Sequence, residues 1–169
     1  MPKTTNIAPA SCTLCPRQCK ADRAAGRTGF CGAGGTLKAA RAALHFWEEP
    51  CISGEKGSGA VFFSGCALHC VFCQNYEISG GDRGKVLSES ELESIIFSLV
   101  EKGAENINLV SPTQYALRLS RLLERIKPEL SVPVVYNTGG YESVETLKRL
   151  DGLIDIYLPD VKYFSPEIS

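Results

Sequence analysis

No stretch of this 169-residue sequence is long and apolar enough to cross a bilayer. An excess of either charge is missing too. The 18 basic and 19 acidic residues leave a net charge of −1, spread along the chain, so neither nucleic acid nor an anionic membrane is expected as a partner. Met1 to Ala10 holds one lysine, a proline near each end and no apolar run, and is not expected to act as a secretory leader. Histidine is scarce, with only His45 and His69. Cysteine is not: there are eight. Without an export signal these are expected as reduced thiols in a cytoplasmic protein, serving metal binding or catalysis rather than disulfides. The 44% hydrophobic content is ordinary for a globular fold.

Three of the cysteines, Cys66, Cys70 and Cys73, stand in Gly65-Cys66-Ala67-Leu68-His69-Cys70-Val71-Phe72-Cys73-Gln74-Asn75. Three thiols so close cannot all pair with one another. Zinc would want a fourth protein ligand, whereas a cubane iron–sulfur cluster takes one thiolate on each of three irons and leaves the fourth iron open. Ala60-Val61-Phe62-Phe63 just before reads as a buried strand. The loop therefore sits where a strand ends, the place where open α/β sheets and barrels carry their chemistry.

The Cys-x3-Cys-x2-Cys spacing resembles that of the radical S-adenosylmethionine (SAM) enzymes. The Phe72-Cys73-Gln74-Asn75 ending resembles the branch related to pyruvate formate-lyase activating enzyme. The resemblance implies a [4Fe–4S] cluster on Cys66, Cys70 and Cys73 whose open iron binds SAM. Its reductive cleavage would give a 5′-deoxyadenosyl radical that takes hydrogen from a substrate. It also implies an oxidoreductase, a reductant such as flavodoxin or ferredoxin, and a protein substrate if the chain makes a glycyl radical. In glycyl-radical activating enzymes a Gly-Gly-Glu segment after the second strand binds the SAM amino group. Here Val110-Ser111-Pro112-Thr113-Gln114 stands in that place without the acid, and Ser111 is the candidate substitute. Asn137-Thr138-Gly139-Gly140 is similar to an Asp-Thr-Asn-Gly segment of those enzymes, and Asp160-Val161-Lys162 to their Asp-x-Lys. Ser111, Asn137, Thr138, Asp160 and Lys162 are thus the implied SAM pocket. Likeness to an activating-enzyme-like group runs from Cys12 to Tyr163.

The chain divides near Gly57 into a Cys- and Gly-rich region, 1–57, and a radical SAM core, 58–169. In the core, Ser88 and Glu91 form a capping box for a helix to Lys102, with Leu92, Ile95, Ile96, Leu99 and Val100 as its apolar stripe. A second helix is expected to be capped at Ser111-Pro112 and to bury Tyr115, Leu119, Leu122, Leu123 and Ile126. Val144, Leu147 and Leu150 mark a third. Strands are expected at 60–63, 106–110, 132–136 and 153–158. This alternation predicts an α/β fold, a partial (β/α) barrel of about four parallel strands joined by right-handed crossovers. Too little chain follows Lys162 for another unit, so the sequence reads as the first part of a longer barrel: a fragment by preference, otherwise a truncated product or a chain completed by another subunit. The segments 54–59 and 80–84 read as turn and flexible connection.

Cys12, Cys15, Cys19 and Cys31 form a second constellation, Cys-x2-Cys-x3-Cys-x11-Cys. Four thiolates close either a zinc site or a second iron–sulfur cluster, and spacing does not choose between them. Cys51 stands alone and reads as a small packing residue. His69, inside the loop, reads as a neighbour of the cluster rather than a ligand. His45, with Trp47, Glu48 and Glu49, either faces a substrate or cluster or packs as a connection; no catalytic role is assigned. The competing reading is a non-catalytic metal-binding or electron-transfer module, which would need a fourth cysteine beside the first three.

Overall fold

A computed structural model of the chain describes residues 8–162 and 165. Most of the segment read as lacking a leader, and Tyr163 at the end of the family-like string, lie outside the described residues. The elements in chain order are β1 (Leu37–His45), α1 (Pro50–Ser53), β2 (Ser58–Phe63), α2 (Tyr76–Ser79), β3 (Lys85–Leu87), α3 (Glu89–Glu101), β4 (Ile107–Val110), α4 (Ala116–Ile126), β5 (Val134–Thr138), α5 (Val144–Leu150) and β6 (Ile156–Pro159). The six strands form one sheet in the order β3-β1-β2-β4-β5-β6.

The four expected strands β2, β4, β5 and β6 pair in parallel and in sequential order. Their ends shift by a few residues. β5 starts after Pro133 rather than before it, because proline has no N–H for the ladder; the Pro133 carbonyl instead accepts from Ile107 N at 2.9 Å. The sheet also holds two strands that the sequence pattern did not show. β1 runs antiparallel to β2, from Ala39 opposite Phe63 to His45 opposite Ser58, and β3 pairs antiparallel with β1. The 80–84 segment is not a loose connection. Lys38 Nζ donates to the carbonyls of Gly81 and Asp82, each at 2.7 Å, and a side chain at Gly32 would collide with Gly80.

Alternation gives the sheet two faces. Val61, Phe63, Ile107, Leu109 and Val134 pack into one core with Leu92, Ile96 and Leu99 of α3 and Leu119, Leu122, Leu123 and Ile126 of α4. α3 begins at the expected capping box: the Ser88 hydroxyl accepts from Glu91 N, and the Glu91 carboxylate accepts from Ser88 N at 2.8 Å. The opposite face carries two rows fixed by register. One is Ala43–Ala60–Asn108–Val135–Ile156, and the next is Arg41–Phe62–Val110–Asn137–Leu158.

The N-terminal segment up to Thr36 has no helix or strand among its described residues. It is tied across the loops that follow the parallel strands. Arg17 donates to Ala67 O, Arg23 to Gln114 O and Arg118 to Gly35 O, while Thr146 Oγ1 donates to Leu14 O at 2.8 Å. Among the described residues no helix is long and apolar enough to cross a membrane.

Candidate functional site: the loops after the parallel strands

The chain leaves β2 through Gly65, whose φ of +89° favours glycine, and a side chain there would meet the Cys31 carbonyl. That same carbonyl accepts from Cys66 N at 3.1 Å. Cys73 N then closes a turn onto Cys70 O at 3.1 Å. Cys66, Cys70 and Cys73 are free thiols, each half-buried. His69 sits among them with φ +50° and its ring 4.8 Å from that of Phe30, which carries the Arg17 guanidinium 3.6 Å from its centroid. The cluster loop therefore lies against the N-terminal segment on one side.

Its other support comes from the start of the helix after β4. Gln114 Nε2 lies within reach of three carbonyls, Ser64 at 3.1 Å, Gly65 at 2.9 Å and Ser111 at 2.7 Å. Tyr115 also donates its hydroxyl to Ser64 O, and burial pushes that phenol up to about 12. Sequence reading placed Tyr115 on a buried face but missed the role of Gln114. A single buried amide inside a polar segment leaves no periodic signal.

The expected helix cap at Ser111 is a correction. Ser111 has φ +51°, in the left-handed region, and its N–H donates to Asn137 O at 2.9 Å. A short 3₁₀ turn, Thr113–Tyr115, intervenes before α4, and neither it nor α4 has a side-chain cap. Ser111 thus joins the end of β4 to β5. Asn137 and Thr138 are the last two residues of β5, and Asp160 directly follows β6, its N–H donating to Thr138 O at 2.8 Å. Thr113 and Thr138 both donate to the Glu142 carboxylate, each at 2.5 Å. Glu142 is a link the sequence did not reveal.

Lys162 pairs with Asp160 at 2.5 Å. Burial alone would lower the Lys162 ammonium, but the hydrogen bond and charge of Asp160, together with Cys70 and Cys73, outweigh it and hold the group above its usual value. The strand ends thus place a cation in the field of two of the three loop thiols. Asn137 Nδ2 reaches Glu48, 3.4 Å from each carboxylate oxygen. Burial pushes Glu48 up, His45 and Asn108 oppose this, and Glu49 and Asp160 add to it.

Cys12 and Cys31 are buried, Cys15 is half-buried and Cys19 is exposed. Burial pushes the Cys12 and Cys31 thiols up, and nearby Arg23 offsets this only in part. Burial acts upward on Cys19 too, but the backbone N–H groups of Ala21 and Phe30 and the charge of Arg23 bring it below its usual value. Arg23 is itself buried, and donates to Gln114 O and, at 3.2 Å, to Cys31 Sγ. No carboxylate pairs with it among the described residues.

Three thiols on one loop after a strand are the right donor set for an iron–sulfur cluster, and Gly65 leaves the Cys31 carbonyl room to hold that loop. Among the described residues no three His, Cys, Asp or Glu side chains converge to hold a metal ion, and this is as true of Cys66, Cys70 and Cys73 as of Cys12, Cys15, Cys19 and Cys31. The second site on Cys12, Cys15, Cys19 and Cys31 therefore stays an expectation from spacing, and zinc has no support beyond it. Cys51 is exposed on α1. A cleft of about 510 Å³ beside Arg23 and Tyr115 is also lined by Thr28, Lys38 and Arg118. Its cations Arg23, Lys38 and Arg118 already serve backbone carbonyls.

The chain is 31% identical, over 166 residues, to an uncharacterised protein of Methanocaldococcus jannaschii. The match covers 93% of this chain and 47% of that relative, so the chain spans about half its length. No solved structure matches. The sequence model of the Radical SAM superfamily matches residues 60–169, from β2 and its cysteine loop onward, and the chain belongs to that superfamily.

Proposed function

We propose that this chain is the cofactor-binding part of an oxidoreductase of the activating-enzyme-like branch, acting through reductive cleavage of SAM. The observation that carries the reading is the Cys66–Cys70–Cys73 loop at the end of β2, with Lys162 in the field of Cys70 and Cys73. Those three thiolates would hold a [4Fe–4S] cluster and leave one iron open. A cluster held there would supply the one-electron reduction that SAM cleavage needs. The chain's own groups do the positioning. Ser111, Asn137, Thr138 and Asp160 line successive strand ends, where backbone and side-chain oxygens accept from an ammonium. Lys162 offers a cation to a carboxylate. Gln114 fixes the loop by its hydrogen bonds to Ser64 and Gly65.

A protein that acquires a glycyl radical is the proposed substrate class, and flavodoxin or ferredoxin the proposed reductant, both by analogy with the branch. A second site on the N-terminal cysteines is favoured by Arg23. A buried guanidinium without an anion is costly, and four thiolates around an iron–sulfur cluster or zinc would carry the missing negative charge.

The test is anaerobic turnover of the reconstituted protein with dithionite and SAM, measured as methionine and 5′-deoxyadenosine. Wild-type protein should form both in equal amounts, and Cys66→Ala neither. Equal product from Cys66→Ala would overturn the cluster assignment. A loaded protein that never cleaves SAM would leave the electron-transfer module as the better reading.

A further inference from the structure

The face of the sheet opposite α3 and α4 is polar where a plain scaffold would be apolar. In its first row Asn108 stands between Ala60 and Val135 and is fully buried, at 0% exposure. Neither its Nδ2 nor its Oδ1 makes a full hydrogen bond among the described residues. An unsatisfied buried amide is costly, so such a group is a functional candidate rather than filler. It lies close enough to Glu48 to favour that carboxylate's charged form. In the next row Asn137 turns its Nδ2 toward both Glu48 oxygens at 3.4 Å, long for a direct hydrogen bond. His45, on the same face, stacks edge-on against Phe62 with centroids 5.7 Å apart.

Glu48 is brought here by the segment after β1, where its N–H is held by Ser53 Oγ at 3.0 Å. The same face also carries Arg41, whose guanidinium lies over the Phe62 ring 6.0 Å from its centroid. Glu49 and Asp160 act on Glu48 as like charges, His45 opposes them, and Lys162 is already paired with Asp160. A half-buried carboxylate with two under-used carboxamides and neighbouring carboxylates is complementary to a group that brings both N–H donors and positive charge.

We propose that Glu48, Asn108 and Asn137 form a subsite for an organic cation, an ammonium or guanidinium, on the sheet face opposite α3 and α4. Glu48 accepts from the cation, Asn108 Oδ1 and Asn137 Oδ1 take its remaining N–H groups, and His45 with Phe62 forms the wall. Two molecules can bring that group to this place: the substrate, through a basic side chain or amine, and SAM, through its α-ammonium. The assignment to either rests on the SAM-cleaving reading; the cation chemistry does not.

The test is calorimetric titration of the cluster-loaded protein with agmatine, which carries both cation types, and with butyrate as the anionic control. Agmatine should bind saturably and butyrate should not. Glu48→Gln and Asn137→Ala should each weaken agmatine about tenfold, while Glu145→Gln, an equal charge change on the exposed face of α5, should leave it unchanged. Circular dichroism and the thermal midpoint confirm that each variant is folded. Should Glu48→Gln not fold, Asn137→Ala still decides. Agmatine that binds equally to Glu48→Gln, or no better than butyrate, overturns the subsite. Repeating the titration with saturating SAM separates the sources: retained binding assigns the cation to the substrate, and loss of binding assigns it to SAM. SAM cleavage measured on the same samples keeps the two ideas apart. Cleavage without agmatine binding sinks the subsite alone, and agmatine binding without cleavage sinks the radical SAM reading alone.

Discussion

Gly65 joins the fold to the chemistry at one position. Its left-handed backbone and the Cys31 carbonyl where a Cβ would sit both resist any side chain. Gly65→Ala should therefore destabilise the chain by about 1–3 kcal/mol through backbone strain, and should also push the loop off the N-terminal segment. Denaturant unfolding measures the first effect and cluster loading the second. A variant of unchanged stability that loads normally would show that the contact is dispensable. At this scale the sequence was uneven in what it revealed. The cysteine spacing is readable because metal chemistry dictates it. Gln114, Glu142 and Asn108 are not, because each acts through partners far away in sequence, such as Ser64, Thr113 and Glu48. Ser111 misled: a Ser-Pro pair before an apolar helix matches a cap, but its backbone adopts the left-handed region and a 3₁₀ turn separates it from α4.

Among the elements, α3 was legible from Ser88 to its end, since its capping box and stripe are local. β1 was not. Leu-Lys-Ala-Ala-Arg-Ala-Ala-Leu-His is rich in alanine, which is depleted in strands, and pairing with β2 overrides that preference. The start of β6 illustrates a tertiary tie of another kind. The Asp155 carboxylate accepts from Lys127 Nζ at 2.6 Å and from Val134 N at 2.8 Å, linking β6 to β5 and the end of α4. Partial burial raises its pKa, but the two hydrogen bonds and the Lys127 charge outweigh it, so the group lies below its usual value. A carboxyl depressed on folding stabilises fully above its unfolded value of about 3.9 and loses that stabilisation as pH falls through the lower folded value. Asp155→Asn should cost about 1 kcal/mol at neutral pH, modest because the pair is partly exposed. The gap between wild type and variant should close below about pH 4. A gap that stays constant down to pH 2 would show that the loss is steric.

At the scale of the whole molecule, one sheet carries two unlike faces and one unlike edge. The helix-facing side is a closed apolar core, and the other side holds Asn108, Asn137 and Glu48. Among the described residues β6 pairs only with β5, and Ile156 and Tyr157 on it are 36% and 43% exposed. An apolar open edge invites association. Ile156→Lys should reduce concentration-dependent association in sedimentation velocity, and unchanged association would show that another surface is responsible. The parallel order and the strand-end gathering were legible because right-handed crossovers allow little else. The antiparallel flank and the polar face were not, since they depend on which strands become neighbours.

The central claim is that Cys66, Cys70 and Cys73 hold a cluster whose open iron binds SAM. Electron paramagnetic resonance of the reduced, reconstituted protein tests it directly. Adding SAM should change the cluster signal in wild type and in Cys51→Ala, and that SAM-sensitive signal should be absent from Cys66→Ala, Cys70→Ala and Cys73→Ala. A wild-type signal indifferent to SAM, or one whose response disappears in Cys51→Ala, would contradict the account.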